Sequence, residues 1–179
     1  ADGYLDFYVG SNRYGNELYI NNKSQGFTEV SRQMRVDIPQ VSTRQINWID
    51  YDNNGTLDLY VADRIGPNYL FSYDGEKFTD VSNETGLADP RATVGACWFD
   101  YNSDGFLDLF LANQGTGKDA LYKNEGGKFK DVAKELGLEG GPRERTDGGV
   151  DCAVADYNND GILDLFVATY GINKLYQNN

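Results

Sequence analysis

The chain contains no histidine among its 179 residues, only two cysteines and one methionine, and no long apolar run. Without imidazole there is no histidine general base, no Ser-His-Asp or Cys-His nucleophile pair, and no imidazole-rich zinc or iron site. Two cysteines are too few for a disulfide framework. No apolar stretch approaches the ~20 residues that cross a bilayer as a helix. Basic residues are scarce too: 16 Lys and Arg stand against 28 Asp and Glu, a formal charge of −12. Nucleic acid and anionic membrane surfaces are therefore poor partners, because phosphates need a basic face.

Aspartate, glycine and aromatic residues are plentiful. Twenty of the 28 acids are Asp and only eight are Glu, alongside 21 Gly. Asp competes with a helical backbone for hydrogen bonds, so this bias favours turns, loops or hard-cation ligands. Aromatic residues make up 13% of the chain, enough to build a core. Leu and Ala at helical spacing are almost absent, and the composition reads as all-β.

One phrase occurs four times. It is Asp2-Gly3-Tyr4-Leu5-Asp6-Phe7-Tyr8-Val9, then Asn54 to Val61, Asp104 to Leu111 and Asp160 to Val167, with the glycines 52, 50 and 56 residues apart. A second phrase follows each copy: Glu17-Leu18-Tyr19-Ile20-Asn21, Tyr69 to Tyr73, Ala120-Leu121-Tyr122-Lys123-Asn124 and Lys174-Leu175-Tyr176-Gln177-Asn178. A third follows the first three copies: Phe27 to Ser31, Phe78-Thr79-Asp80-Val81-Ser82 and Phe129-Lys130-Asp131-Val132-Ala133. Each is short, β-branched or aromatic, and bounded by turn residues, as strands are. A further strand precedes each complete Asp-rich turn, at Gln45 to Ile49, Gly95 to Phe99 and Cys152 to Ala155.

One unit is then four antiparallel strands, A to D, with the Asp-rich turn between A and B. A period near 50 predicts a β-propeller of four-stranded antiparallel blades. The expected blades are about 1–36 (lacking strand A), 44–84, 93–135 and 149–179 (lacking strand D). These ends duplicate B and C and do not complement one another. The expectation is a window from a longer array, such as a seven-bladed propeller; a four-bladed ring, or open edges paired between chains, are the alternatives. The D-to-A connections around Glu84 to Leu87 and Lys134 to Leu138 read as loop in preference to a single helical turn.

The three complete turns carry the chemistry. They are Asp50-Tyr51-Asp52-Asn53-Asn54-Gly55-Thr56-Leu57-Asp58, Asp100-Tyr101-Asn102-Ser103-Asp104-Gly105-Phe106-Leu107-Asp108 and Asp156-Tyr157-Asn158-Asn159-Asp160-Gly161-Ile162-Leu163-Asp164. Side-chain oxygens occupy positions 1, 3, 5 and 9, and glycine occupies the sharp bend at 6. Position 7 (Thr56, Phe106 or Ile162) can offer its main-chain carbonyl. Oxygen ligands without nitrogen or sulfur select a hard cation, and six or seven of them suit Ca²⁺ better than Mg²⁺. An EF-hand would need a bidentate Glu at position 12. Val61, Leu111 and Val167 stand there instead, inside strand B. The prediction is three complete Ca²⁺ sites and one partial site with Asp2 and Asp6. Eleven of the 20 Asp lie in these turns, and three bound cations would halve the formal charge.

This pattern resembles the FG-GAP/VCBS repeat family, particularly the type found beside ASPIC/UnbV modules. The resemblance spans essentially the whole chain. It rests on the Asp-x-Asp-x-Asp-Gly-x-x-Asp turn, the Leu-aromatic strand, Asn-x-Leu-Tyr-x-Asn and Phe-x-Asp-Val. It implies a calcium-bearing β-propeller like integrin α-chain heads. The metal role passes by position to Asp50, Asp52, Asn54, Thr56 and Asp58, to Asp100, Asn102, Asp104, Phe106 and Asp108, and to Asp156, Asn158, Asp160, Ile162 and Asp164. Asn54, Asn102 and Asn158 replace an Asp of the pattern and keep an oxygen.

The expected function is a calcium-stabilised extracellular or cell-surface binding and adhesion module, non-enzymatic, with a protein or glycan ligand. Its leader would lie outside this chain, which opens Ala1-Asp2-Gly3-Tyr4. The alternatives are a structural subunit of a surface polymer that self-assembles through open edge strands, and a lectin-like propeller. A glycosidase with paired carboxylates fits poorly, since most Asp are committed to the turns.

Four further features lie outside the metal pattern. Cys97 and Cys152 fall on opposite faces of equivalent A strands, so their sulfurs can meet between blades 3 and 4; they otherwise serve as small buried hydrophobes. Trp48 and Trp98 hold matching positions and read as packing residues. Arg143, Glu144 and Arg145 read as a solvated loop. Asn22-Lys23-Ser24 and Asn83-Glu84-Thr85 fit the glycosylation sequon.

Overall fold

A computed structural model describes residues 3–115, 117–141 and 148–179. Asp2 and the Arg143–Arg145 segment lie outside the described residues.

Four antiparallel sheets follow one another along the chain. The first is β1 (Phe7–Val9), β2 (Glu17–Asn21) and β3 (Phe27–Glu29). The second is β4 (Thr43–Ile49), β5 (Asp58–Asp63), β6 (Tyr69–Tyr73) and β7 (Phe78–Asp80). The third is β8 (Thr93–Phe99), β9 (Asp108–Asn113), β10 (Ala120–Asn124) and β11 (Phe129–Asp131). The fourth is β12 (Gly149–Ala155), β13 (Asp164–Thr169) and β14 (Lys174–Tyr176). Strands pair in chain order within every sheet, giving propeller-like blades that do not close into a ring.

The blades stack through alternating faces of their second strands. β5 and β9 are buried at every residue, because a sheet covers each side. Leu59 and Val61 of β5 join a core cluster with Tyr8, Val36 and Phe78. Tyr60 and Ala62, pointing the other way, join Leu109 and Leu111 of β9. Phe110 and Ala112 pack against Leu165 and Val167 of β13. Of the tryptophans, Trp98 makes an edge contact with Tyr60 at 5.3 Å between centroids. Trp48 packs against Phe78 at 6.1 Å and leaves 37% of its surface exposed.

The inner strands approach closely. A Cβ on Gly95 would meet the Asp151 Cα at 2.8 Å, so any larger residue would push β8 and β12 apart. Cys97 and Cys152 form a disulfide between those strands. Gln45 of β4 spans to β8: Nε2 donates to the Ala96 carbonyl at 2.8 Å, and Oε1 accepts from Ala96 N at 2.6 Å.

The inner strands begin two or three residues before their sequence bounds, each with a bulge near its start. The second D-to-A connection corrects the loop reading. Ser82–Thr85 is one α-helical turn, α2, matched by α1 at Ser31–Met34. Four-residue helices have no amphipathic period to read. They close with left-handed residues, Arg35 and Gly86. The corresponding segment at 133–137 is a turn.

Candidate metal centres

Each complete Asp-rich turn links strand A to strand B and adopts one conformation. Two left-handed residues reverse the chain, Asn53 and Gly55 (φ 59° and 86°), Ser103 and Gly105 (58° and 88°), and Asn159 and Gly161 (59° and 90°). Glycine takes this conformation freely and asparagine tolerates it, whereas serine is strained there.

The reversal turns main-chain N–H groups onto the position-1 carboxylate. Asn54 N donates to Asp50 Oδ1 at 2.9 Å, and Gly55 N to Asp50 Oδ2 at 2.8 Å. Asp104 and Gly105 hold Asp100 at 3.1 and 2.8 Å, and Asp160 and Gly161 hold Asp156 at 3.1 and 2.8 Å. Position 3 accepts from the position-5 N–H: Asp52 at 3.2 Å, Asn102 at 3.0 Å and Asn158 at 3.0 Å. Position 5 accepts from the N–H of position 7: Asn54 from Thr56 at 2.8 Å, Asp104 from Phe106 at 3.0 Å, and Asp160 from Ile162 at 2.9 Å. The side-chain oxygens are thus aimed by the backbone of the turn itself.

The position-9 carboxylates lie at the floor of the turns, almost fully buried at Asp58, Asp108 and Asp164. Each is gripped at both oxygens. Tyr51 N and Tyr73 N donate to Asp58 at 3.4 and 2.8 Å. Tyr101 N and Asn124 N donate to Asp108 at 3.1 and 2.7 Å, and Tyr157 N and Asn178 N to Asp164 at 3.2 and 2.8 Å. Asp6 in the first sheet accepts from Asn21 N at 2.8 Å. Burial pushes Asp58 up to about 6, against the pull of its two N–H donors, and the nearby Asp52 and Asp50 add to the rise. Asp108 is likewise pushed to about 6 by burial, with Asp104 and Asp100 adding to it.

The carboxylate oxygens of Asp50, Asp52 and Asp58 lie within 4.8 Å of one another, a group that could hold a metal ion. Among the described residues, no ion pair includes a carboxylate of these turns. Three acids so close, without a cation, repel strongly. The donor set is oxygen only, which fits a hard divalent cation. The other two turns differ at position 3. There Asn102 Nδ2 donates to Asp104 Oδ2 at 2.9 Å, and Asn158 Nδ2 to Asp160 Oδ2 at 2.7 Å. The amide takes part of the role that a cation would play.

Sequence reading overlooked the residues that brace the turns. The last Asn of the second repeated phrase is one. Asn124 Nδ2 donates to Leu107 O at 3.0 Å and to Tyr51 O, in the turn of the preceding blade, at 2.7 Å. Asn178 repeats this with Leu163 and Tyr101, at 3.3 and 2.7 Å. Asn53 Nδ2 also donates across blades, to Gly105 O at 2.9 Å. The signal was the recurrence of that Asn, whose role needed the third dimension.

A family model described as FG-GAP-like repeat matches residues 1–61, 50–111 and 100–167, three overlapping copies that run through most of the chain. Comparison with curated proteins finds no match.

Proposed function

The chain belongs to the FG-GAP-like repeat family, and on that premise we propose that it is a calcium-stabilised extracellular binding and adhesion module. The observation that carries this reading is the convergence of the Asp50, Asp52 and Asp58 carboxylates without a paired cationic side chain. Asp50, Asp52, Asn54, the Thr56 carbonyl and Asp58 would hold the first ion. Asp100, Asn102, Asp104, the Phe106 carbonyl and Asp108 would hold the second. Asp156, Asn158, Asp160, the Ile162 carbonyl and Asp164 would hold the third. When bound, the ion would supply positive charge that offsets the cost of ionising the buried position-9 carboxylates. Its work would be structural, tying strand A to strand B in the second, third and fourth sheets.

The family is a repeat and binding type, not an enzymatic one. The absence of histidine and the commitment of most Asp to the turns support the same reading. Loops on the propeller faces would contact a protein or glycan ligand. The Cys97–Cys152 disulfide favours an oxidising, extracellular setting. Among the described residues, no helix is long and apolar enough to cross a membrane.

Calorimetric titration of Ca²⁺ into chelator-treated protein tests the reading. Three sites are expected, and Asp104→Ala should remove one of them. Capture on protein and glycan arrays should then require Ca²⁺ and fail in EGTA. A titration with no heat or spectroscopic change would remove calcium from the account.

A second reading, a subunit of a surface polymer, is favoured by one observation. Phe7 and Val9 of the first sheet and Phe166 of the fourth are exposed, although their counterparts in the middle sheets are buried between blades. Particles of one discrete size in electron micrographs would set it aside.

A further inference from the structure

Positive charge is unevenly placed on the fold. Strands alternate in direction within each sheet, so the Asp-rich turns stand at one end of the blades. The β1–β2, β5–β6 and β9–β10 connections, and those that lead from one sheet to the next, stand at the other. Every described arginine, namely Arg13, Arg32, Arg35, Arg44, Arg64 and Arg91, lies in a connection at that other end or in the first two residues of β4. The formal charge of −12 for the whole chain therefore hides an arginine-bearing end opposite the clustered carboxylates.

Three of these arginines meet where the first and second sheets adjoin. Thr43 N donates to Ser11 O at 2.9 Å, Ser42 Oγ to Asn12 Oδ1 at 3.2 Å, and Arg64 N to Ser42 O at 3.1 Å. These bonds draw the β1–β2 connection, the start of β4 and the β5–β6 connection together around Ser42. Arg13 follows Asn12, Arg44 follows Thr43, and Arg64 is itself bonded to Ser42. All three side chains are exposed, and among the described residues none of them forms an ion pair. The neighbouring Asp63 carboxylate is buried and already accepts from Ser42 N and Ile65 N at 3.0 and 2.9 Å. Tyr14 and Ile65, each next in the chain to one of the arginines, are 79% and 70% exposed.

The repeat does not call for these cations. Register equates Arg44 with Val94 and Val150, each at the bulge near the start of its strand, and Arg64 with Gln114 and Tyr170. A bulge re-aims the side chain that it carries. In the second sheet alone among the three, that side chain is charged. Like charges gathered on one surface repel each other, a cost that a bound anion removes.

We propose that this patch binds a sulfated glycan, with Arg13, Arg44 and Arg64 on its sulfates and the Tyr14 ring against a sugar face. The proposal rests on the binding-module reading above and gives it a ligand class and an end of the blades. A guanidinium presents paired N–H donors that match two oxygens of one anion, and arginine rather than lysine fills all three positions. The exposed tyrosine offers a flat, largely apolar surface with a polar tip. A sulfated sugar presents an anion and an apolar C–H face in a single unit, which favours it over an acidic peptide.

The test passes the 179-residue chain over immobilised heparin in Ca²⁺ at about 0.15 M salt and measures affinity by surface plasmon resonance. Saturable binding is expected. It should weaken at least tenfold when Arg13→Ser, Arg44→Ser and Arg64→Ser are combined, with the melting temperature and the Ca²⁺ titration unchanged. Desulfated heparin, poly-glutamate and phosphatidylserine vesicles should each bind at least tenfold more weakly than heparin. No saturable binding to heparin, equal binding by the triple variant, or equal binding of any of those three competitors overturns the proposal. The desulfated comparison needs no variant, so a triple variant that failed to fold would leave the test intact. Calcium binding is read separately by calorimetry, so failure on heparin with the Ca²⁺ heats intact removes the sulfated glycan and leaves the calcium-stabilised module standing.

Discussion

Asn124 donates its side-chain N–H to the main-chain oxygen of Tyr51 across 2.7 Å, joining residues 73 positions apart. The same amide reaches Leu107 O, and its Oδ1 accepts from Gly127 N at 2.7 Å. One buried side chain thus fixes the turns of two successive blades and the β10–β11 hairpin. Removing it leaves buried acceptors unpaired, a cost of about 1–3 kcal/mol. Asn124→Ala should lower the unfolding free energy by about that amount in denaturant titrations. Asn178→Ala, at a partly exposed site, should cost less. Equal and negligible effects would show that the clasp contributes nothing.

The Cys97–Cys152 disulfide closes a segment of 55 residues. A bridge over such a loop stabilises by about 2–4 kcal/mol through the unfolded state. Cys97→Ser with Cys152→Ser should therefore melt several degrees lower than the oxidised parent and match the reduced parent. A double variant as stable as the oxidised protein would remove the bridge from the energetic account.

Protonation should compete with the metal. Asp58 and Asp108 sit at about 6 in the folded chain, above their ordinary value of 3.8. The folded state keeps these two protons to a higher pH than the unfolded chain does. Their contribution to metal-free stability is full below about pH 4 and is lost as pH rises through 6. A cation needs the ionised carboxylate, so its affinity moves the opposite way. Calcium affinity at these two sites should fall about tenfold from pH 7 to pH 5, read by calorimetry at each pH. A flat profile across that range would contradict the role given to the two floor carboxylates.

Much of the architecture was legible in the chain because its repeats are short and local. A β-strand announces itself by composition and by flanking Gly and Asx residues, and four copies of Gly-x-x-Asp placed β1, β5, β9 and β13. The three turns were legible for the same reason: Asn54 N–H reaches Asp50 across only four residues. What joins the blades was not legible. Gln45 meets Ala96, and Asn53 meets Gly105, 51 and 52 residues apart, through stacking that no local pattern encodes. Cys97 and Cys152 were the exception: strand alternation put them on opposing faces of neighbouring blades, though it left pairing and plain burial both open. α2 escapes the sequence pattern because one helical turn carries no period.

The central claim is that clustered carboxylates at the hairpin turns are held together by calcium. Thermal unfolding of one preparation in millimolar Ca²⁺ and in EGTA tests it most directly. A site with a dissociation constant of ~0.2 mM adds roughly 1 kcal/mol at 1 mM Ca²⁺, so three filled turns should raise the melting temperature by many degrees. Superimposable melting curves in Ca²⁺ and in EGTA would contradict the claim.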